Sequence, residues 1–333
     1  MHDIPHLNNP HFSVAPMMDW TDRHCRFFHR MIAPNAVLYT EMVTTGALLH
    51  GDKDRFLRFD PSQHPVALQL GGSDPVALAA CSKMAVEYGY DELNLNCGCP
   101  SERVQNGAFG ACLMAEPNLV AACVSAMKEA SPTIPLTIKC RIGIDDRDDV
   151  AFLDDFLSPL ITAGIDGVII HARKAWLKGL SPKQNREVPP INYDRAYHTK
   201  RQYPHLPVII NGNIQTIDDI QTHLSHVDGV MIGREAYHNP WMLRAVQQEL
   251  YPNISDLYDK KAIIDALIPY MMQQYRDYGT PVKTVTRHIL GLFQGARGAK
   301  HWRRVLSEES HSLISPTESS ISALLYKAAE NSF

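Results

Sequence analysis

Eight short β-rich runs, each separated from the next by a longer segment, constrain this chain more than any other feature. They fall at residues 12–15, 36–39, 66–69, 92–96, 136–140, 167–170, 208–210 and 229–232. Helical patterns lie between most of them, at 75–88, 119–130, 149–163 and 217–223. A strand that alternates with a helix implies a parallel sheet. Eight such repeats imply a sheet closed on itself, so the expected fold is α/β, a TIM (β/α)8 barrel. An open doubly wound sheet would usually show a Gly-x-Gly-x-x-Gly turn after its first strand, and the sequence has none. Strand signals stop near Asn239-Pro240-Trp241. Beyond them the pattern is helical at 263–275, 282–293 and 302–306, punctuated by Pro252, Gly279 and Pro281. The expected division is a barrel over 1–240 and a small all-helical domain over 241–333. The serine-rich final twenty residues read as either a helix or a loose tail.

Composition narrows the function classes. The chain is 45% hydrophobic and 20% charged, which permits a large core and argues against wholesale disorder. A formal net charge of -4 means that any nucleic-acid contact must come from a local basic patch. The 7 cysteines are odd in number and scattered through apolar segments, unlike a secreted disulfide framework. The N-terminus has no charged-then-apolar leader pattern. No apolar run reaches the ~20 residues that span a bilayer. A cytoplasmic monomer without membrane contact is the expectation.

The residues just past each strand are more telling. In order come Pro16-Met17-Met18, Glu41, Gln69, Cys97-Gly98-Cys99, Lys139 with Arg141, His171, Asn211-Gly212-Asn213 and Gly233-Arg234. Barrel enzymes assemble their sites at the C-terminal ends of strands. The run Leu93-Asn94-Leu95-Asn96-Cys97-Gly98-Cys99-Pro100 alternates as a strand does and then breaks, leaving Cys99 where strand becomes loop. Pro100 holds Cys99 extended. Its thiol reads either as an acid or nucleophile, or as a packed cysteine. Cys97 lies two positions away, but no second close cysteine pair completes a metal set, so no metal is expected.

Barrels often hold a phosphate with the loops after strands seven and eight. Here those loops read Asn211-Gly212-Asn213 and Gly233-Arg234. Glycine lets backbone N–H groups approach an anion, a following helix start adds positive charge, and Arg234 offers a planar fork. A single terminal phosphate suits FMN. Lys139 closes strand five, where an unpaired ammonium is costly unless an anionic partner such as a reduced flavin meets it. Gln69 and His171 can hydrogen-bond a heterocycle edge.

Taken together, Ala15-Pro16-Met17-Met18-Asp19, Gln69-Leu70-Gly71-Gly72, Asn94 to Pro100, Lys139-Cys140-Arg141, His171-Ala172-Arg173, Asn211-Gly212-Asn213 and Gly233-Arg234 resemble the flavin-dependent tRNA-dihydrouridine synthases. The stretches 173–186 and 293–304 resemble the A-type bacterial subfamily. The resemblance covers about residues 11–306 with no departure at catalytic positions. It implies an FMN-carrying barrel and a helical domain that grips tRNA. It also implies reduction of D-loop uridines 20 and 20a, with NADPH as electron source. Carried over residue by residue, it implies Cys99 as proton donor and Asn96 beside the uracil. Pro16, Met17, Met18, Gln69, Lys139, His171, Asn211, Gly212, Asn213, Gly233 and Arg234 are implied around FMN. Arg141, Lys183, Arg186, Arg297 and Lys300 complete the expected substrate and tRNA set.

The chemistry fits those parts. The C5=C6 bond of uracil is conjugated to the C4 carbonyl, so hydride adds at C6 and an acid must protonate C5. A thiol near its ordinary pKa of about 8.5 is protonated at neutral pH and can serve. The target base must first be turned out of its stack. Two basic segments could hold the RNA: Lys174, Lys178, Lys183 and Arg186 in one loop, and residues 278–307, which contain no Asp or Glu. A barrel flavoenzyme acting on a free pyrimidine would not need the second segment. A non-catalytic RNA-binding barrel would not need the flavin.

Overall fold

The computed structural model describes residues 11–102, 104, 107–255, 257–330 and 332. The N-terminal residues considered for a leader lie outside that range. Strands β1 (His11–Val14), β2 (Val37–Tyr39), β3 (Val43–Thr44), β4 (Val66–Gly71), β5 (Glu92–Cys97), β6 (Leu136–Arg141), β7 (Gly167–His171), β8 (Val208–Asn211) and β9 (Gly229–Ile232) form one sheet. Pairing runs from β1 through β2, β4, β5, β6, β7, β8 and β9 and back to β1, every step parallel. The sheet is therefore the closed eight-stranded barrel that the strand and helix alternation implied. The ninth strand, β3, is two residues long and pairs along the top of β4 at Leu70 and Gly71. Its brevity kept it out of the sequence pattern.

Local chemistry fixes the crossover helices. Asp74 caps Pro75–Glu87 by accepting from Ala77 N at 2.8 Å, and Asp149 caps Val150–Thr162 by accepting from Phe152 N at 2.7 Å. Thr216 and Asp219 form a reciprocal capping box at the start of Ile217–Leu224.

Contacts divide the chain into two units: Met1–Met18 with Val37–Gly233, and Asp19–Ala36 with Arg234–Phe333. This differs from a single cut at residue 240, because the helix Arg23–Ile32 groups with the C-terminal helices. The reason lies in its side chains. Phe27 stacks on Tyr270 with ring centroids 3.7 Å apart, His24 Nδ1 meets the Tyr270 hydroxyl at 2.7 Å, and Gln247 bridges to Asn35. Asp22 caps this helix and also meets His288 Nε2 at 2.9 Å. Within the same unit Lys260–Tyr278 ends at Gly279, whose φ of 65° suits glycine. Trp302 is fully buried in Ala299–Glu309 and donates to Ile289 O at 2.9 Å. The serine-rich terminus forms the helix Glu318–Ala329, with Ser320 completing a capping box. No helix among the described residues is long and apolar enough to cross a membrane.

Candidate active site

The alternation in β5 points the opposite way from a half-exposed strand. Glu92 and Asn94 are 0% exposed and Asn96 is 8% exposed, so its polar face looks into the barrel while Leu93 and Leu95 pack outward, also fully buried. Register places Gln69 of β4 beside Asn94 and Asn94 beside Thr137 of β6. Their side chains join. Asn96 Nδ2 donates to Gln69 Oε1 (2.9 Å), Gln69 Nε2 to Asn94 Oδ1 (2.8 Å), and Asn94 Nδ2 to Thr137 Oγ1 (2.8 Å). The hydroxyls of Thr137 and Tyr39 both donate to Glu92 Oε1, each at 2.5 Å.

The top of this ladder holds the cysteine turn. Asn96 Oδ1 accepts from Gly98 N at 3.1 Å and Cys99 N at 3.0 Å. Cys99 O accepts from Ala111 N at 2.9 Å. The half-buried Cys99 lines a cavity of about 610 Å³ together with Met42, Gly71, Gly72 and Phe109. Cys97 faces away into the packing between strand and helix; it is fully buried, and burial pushes its thiol well above the usual range. Gly98 breaks the parity that would otherwise have pointed both thiols one way. Among the described residues no cluster of His, Cys, Asp or Glu has the makings of a metal site.

Beside the turn stands a cationic sector. Burial brings Lys139 down to about 8, with the neighbouring Arg141 charge adding to the effect. Its ammonium donates to Asn211 Oδ1 at 3.2 Å, and Asn211 Nδ2 is fixed by Met231 O at 2.7 Å. Among the described residues Lys139 meets no carboxylate. His171 pairs in register with Arg141 on one side and Asn211 on the other. Burial, reinforced by the charges of Arg141 and Lys139, drives its imidazole well below the ordinary value, so it is neutral. Gly212 has φ 125°, and a Cβ there would come within 3.2 Å of the His171 ring. Asn213, also left-handed at φ 55°, is exposed, and Gly233 faces open space. Pro16 and Met17 are half-buried and Met18 is 57% exposed, Met18 also lining the cavity. Arg234 opens the second unit, in a helix, Arg234–His238, that is only five residues long.

Arg141 is 4% exposed. Its Nε donates to Gly98 O at 3.1 Å, and Nη1 donates to Lys174 O and Asn185 O at 3.3 and 3.0 Å, leaving Nη2 outside these bonds. Asn185, fully buried, holds the same loop through Trp176 N and O. Lys183 and Arg186 are exposed on that loop. Arg297 and Lys300 are exposed in the helical unit, where Lys300, His301, Arg303 and Arg304 line a second cavity of about 680 Å³. The sequence reading missed Asn185, Thr137 and Glu92. None of the three carried a local signal, since an acid or hydroxyl in a strand-like run reads equally as solvent-facing.

The chain has well-defined relatives. The family model "Dihydrouridine synthase (Dus)" matches residues 13–325. The tRNA-dihydrouridine(20/20a) synthase of Shewanella oneidensis is 57% identical over 300 residues, spanning 90% of this chain and 89% of that protein. The enzyme of the same name from Escherichia coli K12 is 56% identical over 301 residues, spanning 90% and 86%. Among solved structures, morphinone reductase superposes with a TM-score of 0.52 at 13% identity, over 78% of this chain and 91% of its own, a likeness of barrel fold alone. A model match from strand β1 into the last helix, with relatives more than half identical across nine tenths of the chain, makes this protein a member of the dihydrouridine synthase family.

Proposed function

We infer that the protein reduces uridines 20 and 20a of tRNA to 5,6-dihydrouridine, with FMN as resident cofactor and NADPH as reductant. The names of its relatives support the reaction and the positions. The net change is uridine plus NADPH plus a proton giving dihydrouridine plus NADP+. The site suits FMN on its own chemistry. Lys139 is an ammonium held by a neutral amide with no carboxylate beside it among the described residues, Gly233 opens onto free space, and Gly212 brings backbone close to a neutral imidazole. Lys139, Gln69, His171 and Asn211 would hold the ring system. Pro16, Met17 and Met18 would cover it, and Gly212, Asn213, Gly233 and Arg234 would take its phosphate. When bound, reduced FMN supplies the hydride that C6 of the base receives.

The remaining work belongs to the chain. Once C6 has gained hydride, negative charge spreads over C5 and O4 of the base, and the Cys99 thiol gives its proton to C5. Asn96 keeps the Cys99 backbone in place and has one amide N–H left over for the base. Arg141 braces the turn with Nε and the loop after β7 with Nη1, and leaves Nη2 toward substrate. Lys183, Arg186, Arg297 and Lys300 bind phosphates, so affinity falls as salt rises.

The observation that carries the reading is the position of Cys99, on the cavity wall with its backbone N–H held by Asn96. Cys99→Ala tests it. The variant is expected to keep its yellow flavin and its tRNA affinity while losing dihydrouridine formation about a hundredfold or more, measured by mass mapping of tRNA. Wild-type turnover would remove Cys99 from the mechanism.

A further inference from the structure

The route above uses Cys99 and Asn96 and leaves Glu92, wholly buried in β5, without a task. The donor logic of the ladder supplies one. The N–H groups of Gly98 and Cys99 can only donate, so Asn96 must turn Oδ1 to them and Nδ2 to Gln69. Gln69 must then offer Oε1 upward and Nε2 to Asn94, and Asn94 must offer Nδ2 to Thr137. Thr137 has one hydroxyl proton, and Glu92 Oε1 at 2.5 Å takes it in preference to the Leu93 carbonyl, which lies at 3.4 Å. Every bond runs in one direction, and the far end needs an atom that only accepts. Glu92 Oε1 is that atom, and the Tyr39 hydroxyl also donates to it. Burial and the neighbouring acid push the Tyr39 phenol upward, which keeps it a donor. Reversal of any one amide would set N–H against N–H in a buried space, where an unmet polar group is costly.

We propose that Glu92 and Thr137 are positioning residues: Glu92 terminates a one-way hydrogen-bond chain that fixes the amides of Asn94, Gln69 and Asn96 and so holds the backbone of Cys99. The proposal deepens the reading of Cys99 as the acid and rests on it for its effect on turnover. Its effect on the backbone can be read without turnover.

Amide hydrogen exchange at Gly98 and Cys99 in the flavin-loaded protein is the direct readout. Thr137→Val, close in shape but without a hydroxyl, is expected to speed exchange there roughly tenfold, the worth of about one hydrogen bond. Glu92→Gln, a weaker acceptor, moves it the same way by less. Ile169→Val, on the apolar side of the same interior, leaves both amides unchanged, which separates positioning from general loosening. In turnover, Thr137→Val lowers kcat by about ten- to a hundredfold with KM for tRNA held, and Thr137→Ser restores most of it. Wild-type exchange in either Thr137→Val or Glu92→Gln overturns the proposal. Should Glu92→Gln not fold, Thr137→Val against Thr137→Ser decides alone. Full activity in Cys99→Ala would overturn the functional reading instead, leaving the exchange result to judge the chain of bonds.

Discussion

The two sides of the barrel interior are built on opposite principles. Toward β7, β8, β9 and β2, Val37, Ile169, Ile209 and Met231 fill the space by shape, joined by Ala15, Ala67 and the ring of Tyr39. Toward β4, β5 and β6, Gln69, Asn94, Thr137 and Glu92 fill the interior with polar groups bonded to one another. Apolar packing tolerates small errors, because a lost methyl group removes contact and little else. A buried amide chain tolerates few, since each member has one correct orientation and an unmet partner on either side if it fails. The polar side lies directly under the cysteine turn. The exacting material is therefore placed where orientation has a chemical consequence, and the forgiving material where only volume matters.

Substitution can break that contrast. Asn94→Leu removes the middle of the chain, leaving Gln69 Nε2 without its acceptor and Thr137 Oγ1 without the N–H it accepts, while the Thr137 bond to Glu92 stays. A loss of about 2–4 kcal/mol in denaturant unfolding is expected, with loss of turnover beyond what stability explains. Lys139 sharpens the contrast through pH. Its folded pKa of about 8 lies below the unfolded value, so the flavin-free protein carries the burden of the charged form at neutral pH and gains stability as pH rises from about 8 toward 10.5. Flavin affinity should fall over the same rise, as the ammonium is lost. Lys139→Met should flatten both trends, read by thermal melts and flavin fluorescence across pH. Ile169→Val sets the small end of the scale, with a stability change of about 1 kcal/mol and turnover unaltered.

Much of this architecture is legible in the amino-acid sequence. All eight barrel strands lie where the β-rich runs place them, with ends shifted by a residue or two, because repeated strand and helix signals reinforce one another. Lys139, His171 and Asn211 stand together at strand ends because β6, β7 and β8 are neighbouring parallel strands, as successive β/α units require. The inward aim of Glu92, Asn94 and Asn96 is not legible. Alternation gives the parity of a strand but not which face is the lumen, and a strand buried on both faces reads like one half exposed. The grouping of Arg23–Ile32 with the helical unit is hidden for a different reason. It depends on pairs such as His24 and Tyr270, 246 positions apart, which no local pattern reports.

The guanidinium of Arg141 has one more consequence. By reaching the carbonyls of Gly98, Lys174 and Asn185 at once, it makes the cysteine turn and the lysine-rich loop after β7 share a single rivet. The carbonyl just before Cys99 and two carbonyls of the loop thus depend on the placement of one side chain. Lysine at this position, a point donor in place of a planar fork, would let the two loops drift apart while preserving the charge.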